Sequence, residues 1–534
     1  MKYVTNPILR GFNPDPSILR VGDDYYIATS TFEWFPGVQI HHSTDMINWN
    51  LVARPLNRIS QLDMLGVPDS CGVWAPCLSY DNGTFYLVYC DVKSFDGVWK
   101  DTPNYLVTTE DILGDWSDPI FLNSSGFDGS LFHDSDGTKW YTSMLVDHRN
   151  GKFFGGIIIQ QYDPDQKKLI GPVKHIFEGS ELGKTEGPHI YQRDGYYYLL
   201  TAEGGTEYGH AVSIARAKEL FGPYELHPDN PFVSSKDNEN AVLQKTGHGD
   251  LIQTQDGRWY SIFLVGRPLS THGRCTLGRE TAMAEVVWED GDWPYLKSGS
   301  RVPELTVEVP DLIPTSVKRN NIRDNFDEKH LDINFQSLRV PITSDWFSLE
   351  EREGFLRLYG RESLSSFHNQ SLIARRLQAF NVKASVCLDF QPDNFQQLAG
   401  LVCFYNTAHY HYLAVSMDST TDKRNLNIYT CDNFETSEPL ADPLPLSSDH
   451  PVFLSLVWNR EVIQFYYALA ENEWEPVGPT LDGSILSDDY VRDGSSRYRP
   501  AFTGAFIGLC CQDLTGSRKH ADFDWFEYKE FDQD

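Results

Sequence analysis

The feature that most constrains this chain is a five-fold repeat between Asp15 and Ile262. Each copy is a short apolar segment, a turn and an aromatic segment, and the copies begin at Asp15, Ala75, Asp128, Glu186 and His248. Four turns contain the strongest short-range hairpin signal, namely Asn82-Gly83, Asp136-Gly137, Asp194-Gly195 and Asp256-Gly257. Two more strand-like runs follow each hairpin, which gives four strands per unit of roughly 50 to 60 residues. The repeat predicts a five-bladed β-propeller; the alternative is a generic β-sandwich with coincidental hairpins.

The repeat stops in a polar stretch that is flanked by Pro303 and Pro314. Beyond this stretch apolar and polar residues alternate along short runs, as in 355–358, 401–404, 453–457 and 506–509. Such alternation is typical of strands with one buried face and predicts an antiparallel β-sandwich. We therefore expect an all-β protein with a propeller over 1–310, a linker over 311–322 and a sandwich over 323–534.

The net charge indicates which kinds of partner to expect, and the cysteine usage indicates the cell compartment. The chain has 45 Lys and Arg against 75 Asp and Glu, a net charge of −30. Such a chain repels nucleic acid and anionic membranes, so we expect neither as a partner. The nine Cys include no Cys-x-x-Cys pair, and the first residues lack an apolar core of signal-peptide length. These features predict a reduced, cytoplasmic protein without a cysteine metal site.

The first residues of the five repeats are expected to meet in one pocket, because the innermost strands of a propeller surround a central axis. Three of them, Asp15, Asp128 and Glu186, are carboxylic acids. Crowded carboxylates raise at least one pKa, and glycoside hydrolysis needs one ionised and one protonated carboxyl group. Inverting enzymes hold these groups roughly 6.5–9.5 Å apart, a gap that a propeller channel can supply.

Two other interpretations of the three acids stay open on the residues alone. Together with His248 they could hold Ca²⁺ in a structural role, since carboxylates are its preferred ligands. Alternatively, each Asp could be a strand-end cap or a turn residue. His248 itself fits equally well as a hydrogen-bonded core histidine.

Several motifs, in the same order along the chain, resemble those of glycoside hydrolase family 43. Three of them surround the acids: Asn13-Pro14-Asp15-Pro16-Ser17-Ile18, Gly126-Phe127-Asp128-Gly129-Ser130-Leu131-Phe132 and Thr185-Glu186-Gly187-Pro188-His189. Three more are similar to the β-xylosidase branch: residues 29–38, Gly72-Val73-Trp74-Ala75-Pro76 and Leu277-Gly278-Arg279-Glu280-Thr281. The similarity covers essentially the whole chain. It implies a five-bladed propeller followed by a concanavalin-like sandwich.

The resemblance also implies an activity and a division of roles among the acids. It implies exo-cleavage of β-1,4-xylo-oligosaccharides from the non-reducing end, with inversion at the anomeric carbon. By the matching motifs, Asp15 would be the general base and Glu186 the general acid. Asp128 would tune the pKa of Glu186 and orient it. A side activity on α-L-arabinofuranosides is expected as well, because xylopyranose and arabinofuranose can present similar hydroxyl patterns.

The same motifs imply which residues bind the sugar. Five residues are expected to contact it or to line its subsite: Phe32, Trp74, His248, Arg279 and Phe506. Of these, Phe506 would reach over the pocket from the sandwich and close its far end. One departure from the family pattern is Val146, where some relatives carry an aromatic residue, so aromatic stacking in the next subsite is expected to be weaker or differently supplied.

The remaining expectations concern partners and competing activities. Xylo-oligosaccharides are the predicted ligands, no cofactor or metal is predicted, and a dimer or tetramer is expected by resemblance. A retaining fructosidase is a competing enzyme interpretation, but it would carry an Arg-Asp-Pro pattern at the middle acid and a Glu-Cys pair at the third. The chain has Asp128-Gly129 and Glu186-Gly187 instead. A non-catalytic glycan-binding propeller is the interpretation from another class.

Overall fold

The computed structural model describes residues 2–95, 97, 99–317, 323–446, 449–493 and 500–531. Five antiparallel sheets follow one another along the first part of the chain, and each is built from strands that are neighbours in sequence. Their inner strands contact one another in a closed ring. The five-bladed propeller predicted from the repeat is therefore confirmed.

The strands of the propeller are as follows. Blade 1 contains Ser17–Val21, Asp24–Thr29, Gln39–Ser43 and Asn50–Ala53. Blade 2 contains Gly72–Val73, Cys77–Asp81, Thr84–Val92, Asn104–Thr109 and Ile120–Asn123. Blade 3 contains Ser130–His133, Lys139–Val146, Phe154–Asp163 and Lys168–Phe177. Blade 4 contains Glu186–Arg193, Tyr196–Glu203, Ala211–Ala217 and Glu225–Leu226, and blade 5 contains Gln244–Gln253, Trp259–Gly266, Arg279–Trp288 and Pro294–Leu296.

The aromatic segment of each repeat is explained by packing between blades. Successive side chains of a strand point to opposite faces of its sheet. In blade 1, Tyr25 and Ile27 pack with Tyr260 of blade 5 in one apolar cluster. Tyr26, on the other face, lies edge-on to Phe85 of blade 2, with ring centroids 6.0 Å apart. Both faces of a blade are thus packed against its neighbours, which favours large aromatic and apolar side chains on both faces of the strand.

The two ends of the propeller segment are joined by strand pairing. Lys2–Thr5 pairs antiparallel with Thr306–Val309. The backbone N–H of Asn13 donates to the carbonyl of Arg279 at 2.9 Å, so the residues before Asp15 lie against blade 5. This pairing supports a propeller limit near 310, and we retain the domain limits 1–310 and 323–534 as a proposal. Of the predicted linker 311–322, residues 318–322 lie outside the described residues.

The second half of the chain forms two packed antiparallel sheets, as predicted. One contains Arg323–Asp324, Phe347–Ser348, Leu356–Tyr359, Asn381–Asp389, Val452–Asn459, Val462–Ala468, Glu475–Asp482 and His520–Glu530. The other contains Gln336–Leu338, Ser371–Arg376, Gln397–Asn406, His409–Asp418, Lys423–Asp432, Glu435–Ser437, Leu444–Pro445 and Phe506–Asp513. Short helical turns occur at Arg149–Gly151, Gly483–Ile485 and Asp488–Asp493.

The propeller and the sandwich share a sheet edge and a core. The short strand Trp34–Phe35 leaves blade 1 and pairs with Gln336–Leu338 at the edge of the second sandwich sheet. Trp34 and Phe506 belong to one continuous apolar cluster that includes residues of both domains. This contact brings the sandwich close to the start of blade 1, where Asp15 lies.

Two further expectations concern the state of the cysteines and the presence of membrane-spanning helices. All nine Cys are buried and none forms a disulfide, including the adjacent Cys510 and Cys511. Among the described residues, no helix is both long and apolar enough to cross a bilayer.

Candidate active site

The first residues of all five repeats line one small cavity of about 60 Å³. The structure therefore brings Asp15, Asp128, Glu186 and His248 together, as the repeat predicted. The cavity is completed by other residues of the propeller and by one residue of the sandwich: Phe32, Trp74, Phe127, Thr206, His210, Arg279 and Phe502.

The backbone at three of the repeat starts is left-handed. Asp15 and Asp128 both have φ of 54°, and His248 has φ of 44°. Only a few per cent of non-glycine residues adopt this region, although Asp and His are enriched in it. Such backbone costs about 1–3 kcal/mol per residue and is concentrated at functional sites. Its recurrence at equivalent positions indicates that these side chains are held out of the regular strand alternation.

A bulge sets the position of Glu186. The pairing of blade 4's first two strands shifts register between Glu186 and His189. Gly187, inside this bulge, has φ of +57°, and a Cβ there would come 3.0 Å from the His248 ring. Glycine is required here both for the left-handed backbone and for the close approach of the imidazole. The bulge thus places Glu186 beside the residues of blade 5.

Asp15 is a fixed, ionised carboxylate. One oxygen accepts from the Ser30 hydroxyl at 2.6 Å and the other from the Arg279 guanidinium at 2.8 Å. Burial alone would raise its pKa, but the charge of Arg279, the nearby His248 and the Ser30 bond outweigh burial and lower the pKa of Asp15 below 3.8. A buried carboxylate that keeps its charge and has defined partners is suited to accept a proton.

Glu186 and Asp128 have the opposite character. Burial, followed by the negative charge of Asp15, raises the pKa of Glu186 to about 8. Burial and the neighbouring Glu186 and Asp15 raise the pKa of Asp128 well above its usual range. The Glu186 side chain lines both cavities, so this acid is placed to engage a ligand. The site holds an ionised acid and a protonated acid side by side.

The two histidines of the cavity are neutral. Nδ1 of His248 lies 3.9 Å from oxygens of both Asp15 and Asp128. Burial nevertheless lowers the pKa of His248 to about 4, and burial together with His248 lowers the pKa of His210 to about 3. Within the described ranges, no group of three or more His, Cys, Asp or Glu side chains is arranged to hold a metal ion.

Aromatic rings form the walls of the cavity. Phe32 and Trp74 are buried to 2% and 6% exposure, and their ring centroids lie 6.2 Å apart. Phe127, next to Asp128, stands edge-on to Trp74 at 4.9 Å. Trp74 is fixed by a hydrogen bond from its indole N–H to the carbonyl of Ser70 at 3.0 Å. Rigid ring faces of this kind can stack on the C–H faces of a sugar.

The structure corrects the assignment of Phe506. This side chain has no exposed area and stacks on Trp34 at 3.8 Å, in the core between propeller and sandwich. The residue that reaches the cavity from the sandwich is Phe502, four positions earlier. The physical reason is that Phe506 begins a strand and takes a buried place in its alternation, whereas Phe502 lies in the irregular segment before that strand.

Phe502 is tied to the propeller through its backbone. Its N–H donates to the Ser70 hydroxyl at 3.1 Å, and its carbonyl accepts from Arg279 at 3.0 Å. Its ring lies 5.8 Å from Phe32 and 5.6 Å from Trp74. A sandwich residue thus closes the aromatic wall, and the sandwich is part of the site.

A wider cavity of about 420 Å³ adjoins the first. Trp74, Phe127, Glu186, Thr206 and Phe502 line both cavities, whereas Asp15 and Asp128 line only the inner one. Glu186 therefore stands at the junction between an inner and an outer compartment.

Aromatic residues that the sequence analysis did not single out line the outer compartment. They are Phe95, Phe153 and Phe154. Val146 is paired with Phe154 across blade 3 and is replaced in the lining by these rings. The aromatic rings of the outer compartment therefore come from Phe95, Phe153 and Phe154 rather than from position 146.

Two polar residues of the inner cavity were also missed. Thr206 accepts from Arg279 at 3.1 Å, and the Nδ1–H of His210 donates to the carbonyl of Glu203 at 3.0 Å. The signal that could have indicated Thr206 is the Gly204-Gly205 pair before it, since a Gly-Gly turn after the second strand of a blade marks a close backbone approach.

Two family models match this chain. The model described as glycosyl hydrolases family 43 matches residues 4–294. The model described as the beta xylosidase C-terminal concanavalin A-like domain matches residues 323–529.

Similar proteins match over almost the full length. The chain is 52% identical to a protein named xylosidase/arabinosidase 43B from Humicola insolens, over 99% of this chain and 98% of that one. It is 49% identical to a protein named beta-xylosidase from Bacillus subtilis (strain 168), over 99% of both chains. The crystal structure of xylan beta-1,4-xylosidase from Bacillus halodurans C-125 superposes with a TM-score of 0.96 at 51% identity, covering 99% of this chain and 100% of that one.

Proposed function

Because this chain belongs to glycosyl hydrolase family 43, we propose that it is an inverting, exo-acting β-1,4-xylosidase that releases xylose from the non-reducing ends of xylo-oligosaccharides. The proposal is supported by full-length relatives whose names are beta-xylosidase and xylosidase/arabinosidase. The second of these names also favours a side activity on α-L-arabinofuranosides.

The observation that carries the proposal is the opposite titration of two acids in one cavity. The pKa of Asp15 is lowered by Arg279, whereas burial raises the pKa of Glu186 to about 8. At neutral pH the first is ionised and the second is protonated, which is the pair that an inverting glycosidase uses.

In this mechanism the terminal xylose occupies the inner cavity and the rest of the chain occupies the outer one. Asp15 removes a proton from a water molecule as that water attacks the anomeric carbon. Glu186, at the junction, donates its proton to the oxygen that leaves with the outer sugar. Exo action follows from the small size of the inner cavity, because only a terminal unit has nothing attached beyond it.

The other site residues support these two transfers. Asp128, beside Glu186, modulates the pKa of that acid and helps to keep its proton until the leaving oxygen requires it. Arg279 holds Asp15 in its ionised form and is positioned to contact sugar hydroxyls. Phe32 and Trp74 stack on the terminal sugar, and His248 remains neutral on the floor of the cavity.

The activity is expected to follow a bell-shaped pH profile. Catalysis needs Asp15 ionised and Glu186 protonated, so kcat/KM should fall as pH rises through about 8, where Glu186 loses its proton. On the acid side it should fall only at strongly acidic pH, because Arg279 and the other partners of Asp15 hold the pKa of that carboxyl below its usual range. Initial rates on xylobiose across this range are the measurement. A rate that stays constant from pH 7 to pH 10 would contradict the assignment of the acid.

Replacing Phe502 should affect the activity of the protein, whereas replacing Phe506 should affect its stability. Phe502→Ala removes a wall of the cavity and is expected to lower kcat/KM on xylobiose about tenfold, the effect of roughly 1.4 kcal/mol of lost binding. Phe506→Ala empties a fully buried position and should cost about 3–5 kcal/mol of unfolding free energy. Denaturant unfolding and steady-state kinetics on both variants test this. If Phe506→Ala instead lost activity and Phe502→Ala lost stability, Phe506 would be the phenylalanine of the site.

The proposed function is tested by sugar release and by stereochemistry. Xylose should be released from xylobiose and xylotriose faster than arabinose from an aryl α-L-arabinofuranoside. Proton NMR of the first-formed xylose should show the α anomer, which is the inverted product. A first-formed β anomer would indicate retention, and binding of xylobiose without turnover, measured by calorimetry, would indicate a binding module.

We also predict the metal dependence, the oligomeric state and the location of the protein. Neither a cofactor nor a metal is assigned a role, so treatment with EDTA should leave the rate on xylobiose unchanged. A dimer or tetramer, measurable by light scattering, is expected from the resemblance. A cytoplasmic location, measurable by fractionation of the source cells, is expected from the cysteine usage.

A further inference from the structure

A second lined groove lies outside the active site, on the outer face of one sandwich sheet. It is a cavity of about 550 Å³ that crosses the strands Gln397–Asn406, His409–Asp418, Lys423–Asp432 and Phe506–Asp513. We call it the sandwich groove. None of the residues to which we have assigned a catalytic or sugar-binding role lines it.

The sandwich groove lies on a sheet face that also carries a row of small residues. Gly400 is paired with Ala414 on one side and with Cys510 on the other, so the three lie in one row on this face. A Cβ at Gly400 would come 2.0 Å from the carbonyl of Leu413, so no larger residue fits there. Ala414 and Cys510 are fully buried, and larger side chains of the same face, such as Tyr412, two residues from Ala414, line the groove.

The lining of the sandwich groove is aromatic, neutral and rich in hydrogen-bonding groups. Its rings are Phe395, Tyr410, Tyr412 and Tyr429. Its amides and hydroxyls are Asn425, Asn427, Gln512, Ser416, Ser419, Thr430 and Thr436. Among the lining residues there is no Lys or Arg, and the acidic ones are Asp418 and Glu438. This chemistry does not suit an anion, but it suits a neutral ligand that has both C–H faces and many hydroxyl groups.

The groove presents a largely exposed aromatic ring, Phe395. The Phe395 side chain is 57% exposed. Its backbone is nevertheless fixed, because the buried Ser416 hydroxyl donates to the Phe395 carbonyl at 3.0 Å. Phe395 lies within a turn that is closed by the backbone N–H of Gln396, which donates to the side-chain oxygen of Asn394 at 2.8 Å. A ring held on a rigid turn at the rim of a groove loses little entropy on binding, which favours a role in recognition.

Polar groups across the groove are also prearranged. The side-chain amide of Asn427 donates to Glu438 at 2.5 Å, so both groups are held in place in the lining of the groove. Such fixed amide and carboxylate groups can bond the hydroxyls of a sugar without reorganising. The groove thus combines a stacking platform with oriented polar partners, as small-molecule sites generally do.

We propose that the sandwich groove is a second carbohydrate site, which binds a segment of a neutral xylan or xylo-oligosaccharide chain away from the catalytic cavity. The choice of xylose as the sugar rests on the proposed function, whereas the choice of a neutral glycan rests on the lining alone. Binding a long chain here raises the local concentration of chain ends around the active site.

The test separates retention on polymer from catalysis on a small substrate. The double variant Phe395→Ala, Tyr429→Ala is compared with the parent and with Phe121→Ala, a control that removes a ring of matched 55% exposure from blade 2. We expect at least a tenfold loss of affinity for insoluble xylan in sedimentation assays with the double variant. Its kcat/KM on an aryl β-xyloside should stay within twofold, and the control should change in neither assay.

Two outcomes would overturn the proposal. One is equal retention of the double variant and the parent on insoluble xylan. The other is a lower molar mass of the double variant in light scattering, which would make the groove a contact between copies of the chain. A parent protein that does not hydrolyse the aryl xyloside would instead refute the proposed function, while retention on the polymer would still be measurable.

Discussion

Glu186→Gln is expected to reduce kcat on xylobiose by about 10³-fold, because general acid catalysis contributes roughly 10² to 10⁴ to such reactions. The leaving oxygen of a natural sugar is a poor leaving group and departs only with a proton. An aryl xyloside with a very acidic phenol needs no proton, so its hydrolysis should fall by less than tenfold. Parallel kinetics on the two substrates provide the measurement.

The control for this experiment is Glu219→Gln, which makes the same change at an exposed carboxylate. It should leave both rates unchanged. The alkaline limb near pH 8 should also disappear in Glu186→Gln, because the amide does not titrate. If the natural and the activated substrate lost the same factor, Glu186 would not be the acid, and its role would be in binding.

Asp15→Asn is expected to reduce kcat by about 10³-fold on both substrates alike, since general base catalysis has a similar magnitude and water must be activated whatever the leaving group. The equal loss distinguishes it from Glu186→Gln. The substitution keeps the size of the side chain, and the amide oxygen can still accept from Arg279, which now makes a 2.8 Å bond to Asp15. The measurement is the same pair of substrates, with xylose binding as evidence that the cavity is intact.

The free energy of unfolding of Asp15→Asn has to be measured together with its rates, because the substitution removes one charge of a buried ion pair. Arg279 is buried to 4% exposure, and breaking a buried ion pair by removing one charge can cost about 3–5 kcal/mol. A comparison of unfolding transitions would show whether the loss of rate is a loss of fold. Asp136→Asn, in an exposed turn of blade 3, is the matched control and should change neither quantity. A rate loss confined to alkyl leaving groups would contradict the assignment of Asp15 as the base.

The propeller could be predicted from sequence because its signals are local. A hairpin is specified by a turn pair such as Asp136-Gly137, and a blade by alternation over a few residues on either side. Repetition then reveals equivalence, since residues that occupy the same place in each copy must occupy the same place in each blade. The repeat therefore predicted, without any knowledge of contacts, that Asp15, Asp128 and Glu186 meet in one cavity, and all three line it.

The wall that the sandwich contributes could not be predicted in the same way. Phe502 is held by Ser70, 432 positions away along the chain, and no local pattern links the two residues. The alternation around Phe506 is that of an ordinary buried strand, and the structure shows it as one. The sequence motif marked the correct segment, but the packing of two domains decided which phenylalanine lies in the cavity.

By itself, the sequence determined the two β domains, the five blades and the identity of the acids at the repeat starts, because turns and alternation are encoded within a few residues. Only the tertiary structure decided how those acids differ. The pKa of Asp15 is lowered by a guanidinium 264 positions away, and the pKa of Glu186 is raised by burial and by Asp15. The energy of a charge depends on the groups and the solvent around it, and these are set by residues distant in sequence that meet only in the folded chain.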